Sequence, residues 1–208
     1  MDRREEVHRA ITGFWEDVYF SSPPWDIKRA QPAIVELVRI GDLKRGRVLD
    51  VGSGTGDNAI FLAKNGFRVV GIDIVARAVE IARERAANQK VEVEFRVGNA
   101  LNLHSYFSQG EFDSVIDSGL FHALTNDERP AYTREIDWVL SGGGSYFMLC
   151  FSDKEREFSG PRRISKKEIE ATFSHLFRIN YIRDTVFGDT LHRKGARGYI
   201  TYATKTAS

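Results

Sequence analysis

Residues 47–74, RVLDVGSGTGDNAIFLAKNGFRVVGIDI, constrain the fold more than any other stretch of this chain. Val48, Leu49 and Val51 form a short apolar run that stops at Gly52-Ser53-Gly54-Thr55-Gly56, where a helix begins. Ala59, Ile60, Leu62 and Ala63 supply the apolar face of that helix, and Asn65-Gly66 ends it as helix C-termini usually end. Val69, Val70, Gly71 and Ile72 then make a second buried strand that closes on Asp73. Parallel strands need a crossover helix between them, so the stretch is one βαβ unit.

The turn has a mechanism of its own. Glycines take positive φ and let a ligand approach the backbone without a Cβ in the way. The free N–H groups of the following helix then face that ligand. An acid at the end of the second strand can accept both hydroxyls of a ribose, and Asp73 follows Gly56 by seventeen positions, about the expected spacing. A dinucleotide site expects G-x-G-x-x-G, whereas here Asp50 stands two residues before Gly52 in Asp50-Val51-Gly52-Ser53-Gly54-Thr55-Gly56. The turn holds no phosphate-binding lysine, which excludes a P-loop.

This pattern resembles motif I of the class I S-adenosylmethionine (SAM)-dependent methyltransferases. The resemblance implies an α/β fold: a Rossmann-like, doubly wound, mostly parallel seven-stranded sheet with helices on both faces. It implies SAM as methyl donor and S-adenosyl-L-homocysteine (SAH) as product. Asp50 suits the cationic amino end of SAM, directly or by orienting the loop. The donor would lie along Gly52, Ser53, Gly54 and Gly56, with Asp73 and Ile74 at the ribose. Asn99 and Ala100 fall where family members place an acid-plus-small pair against the adenine; Asn99 departs from that pattern, although a carboxamide still accepts a hydrogen bond. Ser118 opens the family's motif IV loop. An NAD(P)-dependent oxidoreductase on the same fold, or a non-catalytic SAM-binding domain, is the alternative.

With 208 residues, 42% of them hydrophobic, the chain reads as a single methyltransferase domain, residues 1–45 forming an N-terminal helical lid segment and 46–208 the SAM-binding core. A net charge of +1, with Lys and Arg dispersed among Asp and Glu, leaves no footprint for nucleic acid. No apolar signal or membrane-spanning run is present, so a cytoplasmic enzyme, monomer or homodimer, is expected. The single cysteine, Cys150, lies in an apolar strand pattern and reads as a core thiol. No metal site is expected, because Asp117 alone does not make a set of oxygen ligands.

In chain order, Arg3 to Tyr19 has the apolar spacing of an amphipathic helix, with Val7, Ile11, Phe14 and Val18 on one face. Trp15, Tyr19, Phe20 and Trp25 crowd around Pro23-Pro24 and are candidates for lining the site, since a sulfonium gains cation–π attraction from aromatic faces. Pro24-Trp25-Asp26-Ile27 with Gln31-Pro32 downstream resembles the leading segment of the thiopurine and thiol methyltransferase-like branch. A helix is expected from Gln31-Pro32 to Gly41, and another after Asp73 with Ala78, Val79, Ile81 and Ala82 inward and its arginines solvated. Residues 91–97 alternate as an edge strand and 112–117 form the fourth strand.

His122, in the loop after that strand, is positioned to act as a general base towards a hydroxyl or thiol, with Asp117 assisting; the bland reading is a backbone-bonded helix-start histidine. Asn126 or Asp127 can cap the next helix, Ser141 to Gly144 turn into a fifth strand at 146–151, and Ser165 with Glu168 forms a capping box. Two closing strands at 177–187 and 199–204 complete the fold. Arg162 and Arg163, in the loop before the capping box, read as solvated surface, with binding of an acidic acceptor as the alternative.

Overall fold

The computed structural model describes residues 13, 15–21, 23–156 and 161–206. Most of the helix expected from Arg3 to Tyr19, including Val7, Ile11 and Phe14, lies outside these residues; of helix α1, residues 13 and 15–20 are described. Then follow α2 (Pro32–Ile40), β1 (Arg47–Val51), α3 (Asp57–Lys64), β2 (Arg68–Asp73), α4 (Ala76–Asn88), β3 (Glu94–Val97), β4 (Phe112–Ser118), α5 (Arg129–Val139), β5 (Leu140–Phe151), α6 (Lys166–Phe173), β6 (Phe177–Phe187) and β7 (Ala196–Lys205). Short 3-10 turns at Ala100–Ser105 and Phe121–Ala123 lead out of β3 and β4.

One seven-stranded sheet runs β3-β2-β1-β4-β5-β7-β6. Only β7 is reversed, pairing antiparallel with both β5 and β6. The alternation of side chains along each strand divides the core in two. Leu49, Val51, Val115 and Met148 pack on one face against Tyr132 and Ile136 of α5 and Ile169 and Phe173 of α6. Val48, Val69, Ile116 and Phe147 pack on the other against α2, α3 and α4. Strand order reverses between β1 and β4, and at such a point the loops leaving the two strands diverge to opposite faces and open a crevice.

Local chemistry explains most boundaries. Gly41 ends α2 at φ 80°, with its N–H on the Val38 carbonyl. Gly56 starts α3 at φ 83°, and a Cβ there would strike the Phe95 ring at 2.7 Å and Ala82 at 2.9 Å, so strand β3 and helix α4 both require glycine. Ser165 and Glu168 form the expected reciprocal capping box.

Three expectations are corrected. Strand β3 is confined to Glu94–Val97, because Val91 and Val93 pack into the core beneath α4 before pairing begins. Neither Asn126 nor Asp127 caps α5: Glu128 is the N-cap residue and its carboxylate instead receives the Thr125 N–H and hydroxyl. Residues 141–144 are not a turn before β5 but a bulge within it, since Leu140 already pairs with Phe112 and pairing resumes at Ser145 with Ser114.

Candidate active site

The crevice gathers the C-terminal ends of β1, β2, β3 and β4. Asp50 lies near the end of β1, Asp73 closes β2, Asn99 and Ala100 follow β3, and Asp117 and Ser118 close β4. Register fixes their proximity: Asp50 pairs with Gly71 on one side and Ile116 on the other, and Val51 pairs with Asp117. The sequence-expected donor residues are therefore brought together.

The glycine turn is held from beneath by its own strand neighbours. The N–H groups of Gly52 and Ser53 donate to the Ile72 carbonyl, and that of Gly54 donates to Asp73 Oδ2 at 2.8 Å. Asp73 Oδ1 accepts from Val75 N–H at 2.9 Å. The Ile74 N–H is directed at the same carboxylate, which has about four acceptor positions, so acceptor capacity remains at Asp73. The Asn99 Oδ1 caps the following 3-10 turn through Leu101 N–H at 2.8 Å, leaving its NH2 group and a second lone pair for a base.

Asp50 is almost completely buried; its carboxylate accepts from Ala59 N–H, yet Oδ2 has no hydrogen-bond partner. The Ser53 hydroxyl is likewise buried without one. Burial, reinforced by the charges of Asp117 and Asp73, drives the Asp50 carboxyl well above the usual carboxylate range, and burial raises Asp73 too. Orphaned buried oxygens and three convergent carboxyls leave a deficit of positive charge and of donors, which a ligand carrying an ammonium and a sulfonium supplies. The residues fit SAM.

Above the turn lies the N-terminal segment. The Tyr19 hydroxyl stands 2.9 Å from the position a Cβ would take on Gly54, and it accepts from the Trp25 indole N–H at 3.2 Å. Trp15 and Trp25 meet edge to face at 5.7 Å, and Tyr19 and Trp15 pack with Ile74, Val75 and Ala78 at the β2–α4 junction. Phe20 does not join them; it points outward, 78% exposed, because it falls on the opposite side of the helical turn from Trp15 and Tyr19.

The segment is fastened by contacts with no sequence signature. Asp26 takes both ends of the Arg85 guanidinium at 2.9 and 2.8 Å, and Arg85 also donates to Thr55 and Asp57 beside the glycine turn. Arg85 is thus not one of the solvated arginines expected on α4. Burial alone would raise the Asp26 carboxyl, but the bonds from Arg85 and Lys28 outweigh it and bring it down to about 2. Gln31 exchanges two hydrogen bonds with the Gly188 backbone, at 2.9 and 2.7 Å.

His122 bonds to backbone, the alternative left open by its sequence position, and Asp117 is engaged by several donors of its own loop and sheet. Asp117 is fully buried and accepts from Leu120 N–H, Phe121 N–H, and the Tyr132 and Tyr146 hydroxyls. Burial raises its carboxyl to about 6 against those bonds. His122 Nδ1 accepts the Phe151 backbone N–H at 3.0 Å, so the neutral ring carries its proton on Nε2, which faces Gly119. Burial, with Arg163 and Arg129 nearby, lowers the imidazole to about 3. The ring lies between Phe151 and Phe187, at 4.9 and 5.5 Å.

Residues 48–144 match the model of the methyltransferase domain family. The chain is 32% identical over 187 residues to the 2-heptyl-1-hydroxyquinolin-4(1H)-one methyltransferase of Mycobacteroides abscessus, covering 86% of this chain and 81% of that protein. It is 29% identical to probable thiol methyltransferase 2 of Arabidopsis thaliana, over 80% of this chain and 76% of that one. A solved structure described as converting a disulfide bond into a thioacetal group during echinomycin biosynthesis superposes with a TM-score of 0.84 at 28% identity, covering 94% of this chain and 93% of its own. This chain belongs to the SAM-dependent methyltransferases of class I, and SAM is its cofactor. Among the described residues no helix is long and apolar enough to cross a membrane.

Proposed function

We propose that this enzyme methylates a small, partly aromatic acceptor bearing a thiol or an acidic hydroxyl. The reading is supported by the aromatic segment that covers the glycine turn, with Tyr19 against Gly54 and Trp25 against Tyr19. It is supported also by the relatives, one acting on a hydroxyquinolone and another named as a thiol methyltransferase.

When bound, SAM supplies an activated methyl group on a sulfonium. The chain's share is alignment and exclusion of water. Asp50 receives the amino group, Asp73 the ribose hydroxyls, and Asn99 with Ala100 the adenine; Gly52, Ser53, Gly54 and Gly56 form the floor, with Ile74 and Ser118 at its margins. Trp15, Tyr19 and Trp25 form the lid, and residues 1–45 act with the core as one domain. Asp117, with four donors directed at it, holds the loop that carries His122. His122 acts through Nε2–H as a donor that orients the acceptor. With its pKa near 3 and Nδ1 engaged, it is a poor base at neutral pH.

Thermal-shift and calorimetric comparison of SAM, SAH and NAD(H) tests the donor, since a ligand specific to the folded state raises the melting point. Stabilisation by the two adenosyl ligands alone is expected, followed by turnover of thiols or acidic N-hydroxy heteroaromatics in preference to amines. Binding of NAD(H) alone would overturn the assignment.

A further inference from the structure

We propose that Tyr132 and Tyr146 are positioning residues for methyl transfer: acting through the Asp117 carboxylate, their hydroxyls lock the loop after β4 against the glycine turn. The inference rests on the reading above in which this loop, with His122, faces the acceptor, and it adds how the loop is held.

Asp117 stands two residues beyond Val115 on β4, so its side chain enters the same apolar layer, where α5 and α6 pack on the sheet. A carboxylate there carries a desolvation cost that an apolar side chain would not. Donors from two directions offset it. On the core side, Tyr132 of α5 donates to Oδ2 at 2.6 Å and Tyr146 of β5 donates to the same oxygen at 3.2 Å. On the loop side, Leu120 N–H donates to Oδ1 at 2.9 Å and Phe121 N–H to Oδ2 at 3.1 Å.

The loop turns on Gly119, at φ 96°, whose N–H donates to the Leu149 carbonyl of β5 at 3.0 Å. Asp117 fixes the residues that follow. Leu120 Cβ lies 3.0 Å from the position a Cβ would take on Gly52, so this side chain covers the start of the glycine turn. Gly119 faces His122 Nε2 and the Phe187 ring. One carboxylate therefore sets both the wall beside the donor turn and the backbone that carries the histidine.

Both phenols act on Asp117 as donors. Burial, and then the Asp117 charge, push them well up, so they keep their protons. Burial raises Asp117, and the bond from Tyr132 is the largest of those that oppose it. Asp50 on β1 and Cys150 on β5 also feel the Asp117 charge, and burial keeps the thiol protonated. A protonated Asp117 would aim an O–H at groups that are themselves donating, and one oxygen would cease to accept.

The test uses the intact protein with SAH bound. Tyr132→Phe and Tyr146→Phe each delete one hydroxyl and leave the ring in place. In Tyr132→Phe, hydrogen exchange is expected to quicken roughly tenfold or more at the Leu120 and Phe121 amides, with the amides of α5 and β5 near wild type; Tyr146→Phe should do the same more weakly. In turnover of SAM with 1-hydroxyquinolin-4(1H)-one, kcat should fall roughly ten- to a hundredfold while SAH affinity and the KM for SAM hold, since Asp50, Asp73 and Asn99 are untouched. The ratio of variant to wild-type kcat should fall further towards acid, because Asp117 without the Tyr132 donor protonates at higher pH; taking the ratio removes the acceptor's own ionisation. Adding Tyr132→Phe to Asp117→Asn should cost nothing further. Exchange that quickens evenly through the sheet, an unchanged kcat, a ratio flat across pH, or additive losses in the double variant would each overturn the proposal. The exchange measurement needs no acceptor, so local quickening without turnover of the hydroxyquinolone would support the lock and count against the acceptor class alone. Failure of the wild type to bind SAH would instead overturn the assignment of SAM. Should Asp117→Asn fail to fold, the two tyrosine variants still decide the matter.

Discussion

His122 is buried against two phenylalanine rings and held neutral, and that state has a measurable cost in acid. In the unfolded chain it titrates near 6.5, whereas in the folded protein burial and two arginines bring it to about 3. The unfolded state therefore takes up a proton first, and stability falls as pH drops below about 6.5. Between about pH 7 and pH 5 the loss is about 2 kcal/mol. Asp117 works in the opposite direction: its folded value near 6 lies above the unfolded one, so over the same interval it contributes about 1 kcal/mol of stability as it protonates. The wild-type curve alone mixes the two. We expect the difference between wild type and His122→Gln, measured by urea denaturation at each pH, to shrink by about 2 kcal/mol on acidification. A difference that stays constant would show that the imidazole titrates normally.

At the scale of elements, the question is what keeps the aromatic segment over the glycine turn. Ring contacts among Trp15, Tyr19 and Trp25 give it an apolar face, but the bidentate Asp26–Arg85 pair fixes its position on α4. Arg85→Ala leaves Asp26, Asp57 and Thr55 without that donor, and we expect a loss of about 1–3 kcal/mol. The same change should weaken SAH binding and speed amide hydrogen exchange over residues 15–26. Faster exchange throughout the sheet instead would mean that Arg85 serves global stability alone.

The strand–turn–helix–strand unit was legible because its apolar periods, glycines and terminal acid are all local in sequence, and the positions of Asp50, Asp73 and Asn99 followed from strand ends. Arg85 was not legible, since on the helix pattern it is one arginine among several and only its distant partner, Asp26, distinguishes it. The same holds for Arg129, which faces Glu168, 39 residues further along the chain, in an ion pair between α5 and α6. The bulge at 141–144 reads locally as a glycine turn; only pairing of Leu140 with Phe112 reveals the strand on both sides of it.

For the molecule as a whole, the first and last parts of the described chain meet at the crevice. Gln31 and Gly188 exchange hydrogen bonds across 157 positions, and the Thr190 N–H donates to the Pro24 carbonyl at 2.9 Å. Gln31→Ala removes both side-chain bonds and leaves the Gly188 N–H and carbonyl to find water. We expect a loss of about 1–2 kcal/mol in urea denaturation together with weaker SAH binding. Unchanged SAH affinity would mean that the hairpin end of β6–β7 plays no part in seating the lid.

The Gln31–Gly188 tie also bears on the birth of the protein. At roughly 5–20 residues per second, a ribosome needs on the order of ten to thirty seconds to reach Gly188 after placing Gln31. During that interval the glycine turn and its three carboxyls can assemble on the early strands, while the aromatic cover has no anchor at its far side. On a nascent chain the Gln31–Gly188 tie therefore forms only after the strands that carry the glycine turn have been made, whereas the Asp26–Arg85 pair has both its partners from early on.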